Sequence, residues 1–220
     1  ALDQIDSWIR ACPLGTGMHW RSPLEVAIRA INWTWLIALA EPSGLIAGAT
    51  RSRLLHALDC HVWEISRKYS RGSSANNHRI GEAAGVFIAT SCVPGLARAA
   101  AHRQASRGIL AEEILTQNPA DGGNREQAFG YHLFVLQFLL LARVVAARTG
   151  QVMPAPFDDR LSQMIEFAAA MTDAGPAPMY GDSDDGYVVD LGGREAGGRE
   201  LVAVGRALLV VDMTVFEPSA

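Results

Sequence analysis

The sequence predicts an all-α fold, and three observations carry that prediction. Apolar residues recur at helical spacing through most of the chain, helix start and stop signals alternate along it, and only residues 187–191 read as a convincing strand. Several segments are apolar on more than one face, among them 33–40, 83–89 and 133–141, and such helices belong between other helices. Antiparallel helical hairpins in layers satisfy that pattern, as in a bundle, a solenoid or an α/α toroid. No regular solenoid repeat is present.

The elements follow from local signals. Ser22-Pro23-Leu24-Glu25 is a capping box with proline at the first helical position, and it opens a helix that Pro42 stops after Glu41. A second helix is expected over 45–69, closed by Gly72-Ser73-Ser74, and a third over 79–92, ahead of Pro94-Gly95. A fourth spans 96–116, before Asn118-Pro119. A fifth begins after Asp121-Gly122-Gly123-Asn124 and runs to Thr149, with Gly150 as its left-handed cap. A sixth covers 157–171. From 172 to 198 the composition turns to Gly, Pro and Asp and reads as loop; a short helix over 199–211 and an extended tail complete the chain. The whole reads as a single domain over 1–220, with 187–220 a tail or linker.

Composition bounds the function. The chain has 220 residues, 49% of them hydrophobic, which is enough to bury a full core. A formal net charge of -4 offers no basic face for nucleic acid. Arginine supplies almost all of the positive charge, Lys68 being the only lysine, and arginine suits bidentate binding of carboxylates and sulfates. Cys12, Cys60 and Cys92 form no C-x-x-C pair, so neither a zinc ribbon nor a disulfide framework is indicated. His56 and Cys60 are spaced i, i+4 but lack further ligands, so a packed helix face is preferred to a metal site. No metal or cofactor is expected, and no G-x-G-x-x-G or G-x-S-x-G motif occurs. The most apolar stretch, 133–147, is interrupted by Gln137 and Arg143, so no membrane insertion is expected.

Three polar clusters sit at element boundaries. Asn76-Asn77-His78-Arg79-Ile80-Gly81-Glu82 lies at the start of a helix, where the dipole and unpaired N–H groups favour an anion, although either Asn also serves as a plain N-cap. Glu126-Gln127-Ala128-Phe129-Gly130-Tyr131-His132 is read one or two turns into the fifth helix, so that Glu126 shares a face with Gly130 and Gln127 with Tyr131. A phenol beside an imidazole suits proton transfer, and also suits a satisfied core pair. Gly181-Asp182-Ser183-Asp184-Asp185-Gly186 is acidic, but its second glycine falls one residue early for a calcium loop, and a turn bonding its own backbone explains it.

Taken together, these clusters resemble the heparinase II/III-like lyases. Asn76-Asn77-His78-x-x-Gly81-Glu82-Ala83-Ala84-Gly85 is similar to that family's N-N-H-x-x-G-E-A-A-G signature, and Asp121-Gly122-Gly123-Asn124-Arg125-Glu126-Gln127-Ala128-Phe129-Gly130-Tyr131-His132 to its D-G-x-N-x-E lead-in and E-Q-[SA]-x-x-Y-H motif. Trp20-Arg21-Ser22-Pro23-Leu24-Glu25-Val26-Ala27-x-Arg29-Ala30 is similar to its first conserved helix, and Gly181-Asp182-Ser183-Asp184-Asp185-Gly186 to its G-D-x-D-D-G loop. The resemblance covers about residues 20–186. It implies an incomplete α/α toroid followed by a β-sandwich domain that this chain lacks, in a bacterial, periplasmic or secreted enzyme. It also implies β-elimination on a uronic-acid polysaccharide. Asn77 (or Asn76) would neutralise the substrate carboxylate and Tyr131 would be the acid/base. His78 would join the catalytic set, while Asn76, Arg79, Glu82, Glu126, His132, Asp182 and Asp185 would contact the sugar or brace the groups that do. The family's β-sandwich adds a further catalytic His, so the 220 residues alone are expected to be inactive or very weak. Two other readings stand beside this one: a non-catalytic carbohydrate-binding toroid, and an α/α glycoside hydrolase pairing Glu82 with Asp182 or Asp185.

Overall fold

The computed structural model describes residues 2–173, 175–176, 178, 180–182, 186–190 and 197–210. Every regular element among them is helical: α1 (Leu2–Ala11), a 3-10 turn at Met18–Trp20, α2 (Pro23–Ala40), α3 (Gly48–Ser66), a 3-10 turn at Gly72–Ser74, α4 (Asn77–Cys92), α5 (Ala99–Gln117), α6 (Phe129–Arg148), α7 (Ala155–Asp173) and α8 (Gly198–Val210). The chain divides into two compact units, Ala1–Ser106 and Arg107–Ala220, with the division inside α5. The strand expected over 187–191 is not formed at 187–190, and Leu191 lies outside the described residues. Val188 is buried, and its N–H donates to Gln137 Oε1 on α6 (3.3 Å). That helix side chain meets the backbone need a partner strand would have met. The expected extended tail from 212 also lies outside the described residues.

In the first unit, Ser22 caps α2 as the sequence requires, its hydroxyl accepting from the Glu25 N–H at 3.4 Å. α2 packs mainly against α4 and also against α3. Val26, Ala27 and Ala30 of α2 and Val86 and Ala89 of α4 are all fully enclosed. α4 is buried on every face from Ile80 to Ser91, as its all-round apolarity predicted. Close approach sets this contact: a Cβ built on Gly85 would lie 2.7 Å from Ala27 Cβ and 2.9 Å from Ala27 Cα. α1 was not expected, although Leu2, Ile5, Trp8 and Ile9 repeat at helical spacing and pack on this core. Arg53 of α3 donates to Asp6 Oδ1 at 2.7 Å and ties α1 down.

In the second unit, α7 packs against α6 and α8. Phe129, Val135, Leu136, Phe138 and Leu139 of α6 meet a core that includes Phe157, Leu161, Met164 and Ile165 of α7. α6 is long and apolar enough to cross a membrane by length and composition, but most of it is buried. It ends as predicted, with Gly150 at φ 65° after Thr149. Its start differs: the helix begins at Phe129, so Glu126 and Gln127 lie ahead of it and the expected shared faces do not exist. Asn124 Oδ1 accepts from the Glu126 N–H (2.9 Å) and Gln127 adopts φ 56°. An Asx turn followed by a left-handed residue holds the backbone out of the helix.

The Gly85 contact yields a stability prediction whose sign is informative. Alanine is intrinsically better than glycine inside a helix by about 1 kcal/mol. Gly85→Ala should nonetheless destabilise the chain by about 1–3 kcal/mol in denaturant melts, because the added methyl overpacks Ala27. Ala27→Gly in the same chain should recover part of that loss, and a stabilised single variant would contradict the packing.

Candidate functional site

Two helix starts in the first unit border one groove of about 690 Å³. Its walls are Met18, His19 and Arg21, the opening turn of α2 (Ser22, Pro23, Glu25), Ser70, Ser73, Ser74, and Asn76 and His78 at the start of α4. Asn76 is the N-cap, its side chain accepting from the His78 N–H at 3.3 Å. Asn77 is the first helical residue and only 5% exposed, enclosed between its two neighbours in sequence, which reach the groove. Arg79 Nη1 donates to the Ser70 carbonyl at 3.1 Å.

Glu82 is fully buried, and both of its oxygens are engaged by Ser70: the N–H donates at 2.7 Å and the hydroxyl at 2.6 Å. Burial pushes the Glu82 carboxyl above its ordinary value, opposed by those bonds and by the nearby His78 and Arg79. Glu82 is enclosed and does not line the groove. It braces the 67–76 connection over α4.

A half-buried arginine and a buried histidine form a polar pair beside the groove segment. Arg29 Nε donates to His61 Nε2 (2.8 Å) and Arg29 Nη2 donates to the His19 carbonyl (2.7 Å). Arginine is only a donor, so His61 Nε2 must be unprotonated, and Nδ1–H donates to the Ala57 carbonyl at 2.7 Å. The rings of Trp8, Trp20 and Trp33 surround His61, and the guanidinium lies 4.2 Å over Trp8. Burial, with the Arg29 charge adding to it, drives the His61 pKa down to about 3, and burial brings Arg29 to about 10. Sequence reasoning missed His19, Arg21 and Ser70 and gave Glu25 only a capping part; Arg21 lay inside a motif that had been given no part in the chemistry.

In the second unit, Tyr131 is the third residue of α6, and its hydroxyl donates to Asp182 Oδ2 at 3.4 Å. The loop carrying Asp182 is docked on the helix start. The Phe129 N–H donates to the Tyr180 carbonyl (3.3 Å), and Gly181 at φ 75° lies so close that a Cβ would sit 2.6 Å from Ala128 Cα. His132 is 1% exposed, stacked on Phe129 and tilted against Phe167, with Nε2–H donating to the Met164 carbonyl at 3.1 Å. Burial takes its pKa down to about 4. His132 is thus a buried neutral group that fastens α6 to α7. Glu126 is half-buried in the segment before α6, and Asp185 lies outside the described residues. No group of three or more candidate metal ligands occurs among the described residues.

The sequence profile of the family "Heparinase II/III N-terminus" matches residues 2–190. The chain belongs to this family. A comparison with curated proteins gives no significant match. Among solved structures, the heparan sulfate lyase HepC from Pedobacter heparinus shares 26% identity at a TM-score of 0.65, over 83% of this chain and 29% of that one. Heparinase III, the BT4657 gene product, shares 26% at 0.63, over 77% and 29%. Another heparinase III structure shares 20% at 0.69, over 78% and 26%, and supports the fold alone. The chain therefore spans less than a third of the length of these structures. Its fold is the all-α, α/α-toroid class of helical hairpins that the motifs implied for a heparinase II/III member.

The two buried histidines make this heparinase II/III chain acid-sensitive. Below about pH 6.5 the unfolded chain binds protons at His61 and His132, whereas the folded chain refuses them until about pH 3 and about pH 4. Their contribution is full above the unfolded value and is lost as pH falls, by up to about 1.4 kcal/mol per pH unit for each group. Urea midpoints should drop between pH 7 and pH 5, before most carboxylates titrate. Equal midpoints would show that these imidazoles are solvated in the folded state.

Proposed function

We propose that this chain is the helical, sugar-cleft part of a polysaccharide lyase that cleaves a uronic-acid polymer by β-elimination. The observation that carries the reading is the family match over residues 2–190, together with 26% identity to a heparan sulfate lyase. In the proposed reaction the side-chain amide of Asn77, or of Asn76 beside it, neutralises the C5 carboxylate, which lowers the cost of removing the C5 proton. Tyr131 takes that proton, protonates the departing glycosidic oxygen, or does both. The C5–H and C4–O bonds break and a C4=C5 double bond forms. His78 assists at the start of α4, Arg79 and Glu82 hold the connection that frames it, and Asp182 accepts the Tyr131 hydroxyl bond. His132 keeps the first turn of α6 in place.

We further propose that turnover draws on chain beyond these residues, since the solved structures of the family are more than three times as long. The 220 residues alone should fold and bind acidic sugar while cleaving it weakly. Substrate is an acidic polysaccharide, with no nucleic acid and no cofactor in the scheme.

The test follows ultraviolet absorbance of the unsaturated uronide made by the complete polypeptide carrying this region. Tyr131→Phe should lower kcat by about 10²- to 10⁴-fold with little change in KM. Asn77→Ala should lose turnover comparably, whereas Asn76→Ala should cost chiefly about 1 kcal/mol of stability through the lost cap. Undiminished unsaturated product from Tyr131→Phe would overturn the acid/base role of Tyr131, whereas release of saturated ends, which indicate hydrolysis, would eliminate the lyase reading.

A further inference from the structure

We infer that the groove between the starts of α2 and α4 is a subsite for an oxyanion carried on a sugar, read by Arg21, His19 and His78. The proposal rests on the acidic-polysaccharide reading above and assigns recognition to residues apart from the acid/base. Arg21 and His19 are exposed, and among the described residues neither side chain makes a hydrogen bond. The His78 ring makes none either, its bond to Asn76 being through the backbone N–H. Three nitrogen-bearing side chains thus converge on one groove of about 690 Å³ with their donors uncommitted.

Most other arginines of the unit are committed. Arg29 is spent on His61 and His19, Arg53 on Asp6, Arg79 on Ser70 and Arg103 on the Thr90 carbonyl. Arg21 therefore keeps a planar fork of donors matched to a sulfo group or a carboxylate. Two helix N-termini border the same space, from Pro23 and from Asn77, and both bias it toward negative charge. Hydroxyls of Ser73 and Ser74 add neutral donors on the rim. Glu25 opposes an anion, and its charge also acts on Arg29, whose charged form it supports.

The segment is also held in place. Arg29 grips the His19 carbonyl, the His19 ring packs edge-on against Trp8 at 5.8 Å, and Trp20 Nε1 donates to the Cys12 carbonyl at 3.1 Å. A preset arrangement loses less entropy on binding than a loose loop.

Calorimetric titration of the full 220-residue chain separates the possibilities. The probes are a sulfated heparin-type oligosaccharide, its fully desulfated counterpart that keeps the carboxylates, and a neutral oligosaccharide of equal length. Acidic sugars should bind, the neutral one should not, and added salt should weaken the affinity. Arg21→Gln should weaken binding by about ten- to a hundredfold, with His19→Ala and His78→Ala smaller in effect. A loss confined to the sulfated probe assigns Arg21 to a sulfo group, and an equal loss on both assigns it to the carboxylate. Acidic sugar bound equally by wild type and Arg21→Gln overturns the subsite and leaves the lyase reading intact. No binding of any acidic probe overturns the subsite, whereas failure of the lyase reading is seen separately, in the product assay. Arg21 is exposed, so unfolding does not confound the comparison; matched melting curves verify it.

Discussion

The spacing of α2 and α4 is the constraint on which the first unit depends, and it is set where Gly85 meets Ala27 with no room for a methyl group. Helices that approach this closely bury small residues along the contact, and here Val26, Ala27, Ala30, Ala83, Ala84 and Ala89 are all fully enclosed. Because Ala27, in the second turn of α2, is locked against Gly85 near the middle of α4, the N-terminal ends of both helices border one groove. Ser22 and Asn76, the two caps, become neighbours in function through a contact made by residues that carry no chemistry. The tightness has a second consequence. With α4 enclosed on every side, its one acidic residue in mid-helix, Glu82, has no path to water and must be satisfied internally. Ser70 does this with both its N–H and its hydroxyl, and the connection from α3 is pinned above the helix start.

The buried histidines follow the same logic with a different outcome. A charged imidazole among Trp8, Trp20 and Trp33 would need a carboxylate beside it, and His61 has a guanidinium instead. The only arrangement compatible with Arg29 is the neutral tautomer, which acts as an acceptor toward α2 and a donor to its own helix. His61 thereby directs Arg29, Arg29 holds the His19 carbonyl, and a core residue fixes a groove residue. His132 plays the corresponding part in the second unit. Its Nε2–H meets the Met164 carbonyl, while Nδ1 is buried without a hydrogen-bond partner among the described residues. That unmet acceptor costs stability, and the ring is retained at the residue next to Tyr131.

Much of the fold was legible because helix signals are local. Seven helices expected from capping residues, prolines and periodicity are present within a few residues of their predicted bounds, and Gly150 caps α6 as read. The α1 pattern of Leu2, Ile5, Trp8 and Ile9 was equally legible and was passed over, being short. The start of α6 was misplaced for a physical reason: Asn124 captures the Glu126 N–H and Gln127 turns left-handed, so a side chain outcompetes the helix where periodicity alone would continue it. At the groove, the two caps could be read, since motifs carry them. The partners could not. Nothing in the sequence links Glu82 to Ser70, Arg29 to His61, or Arg21 and His19 to His78, because those pairings are made by tertiary contact. Glu82 and His132 were accordingly read as contacting the sugar or bracing the groups that do, and their burial and hydrogen bonds are those of bracing groups.

The second unit solves its placement problem with the same device as the first. Gly181 presses on Ala128 as Gly85 presses on Ala27, and in both cases the glycine is what lets a functional segment come within reach. At φ 75° Gly181 also occupies a conformation that other residues adopt at a cost. A side chain there would meet backbone on one side and strain on the other, and the loop would have to lift from the start of α6. The Tyr180 carbonyl would then leave the Phe129 N–H, and Asp182 would leave the Tyr131 hydroxyl. The acidic loop and the phenol are separated by some fifty residues of sequence, including the whole of α7, so no local propensity can hold them together. A single absent methyl group does, and it orients the phenol by a hydrogen bond before any substrate is present.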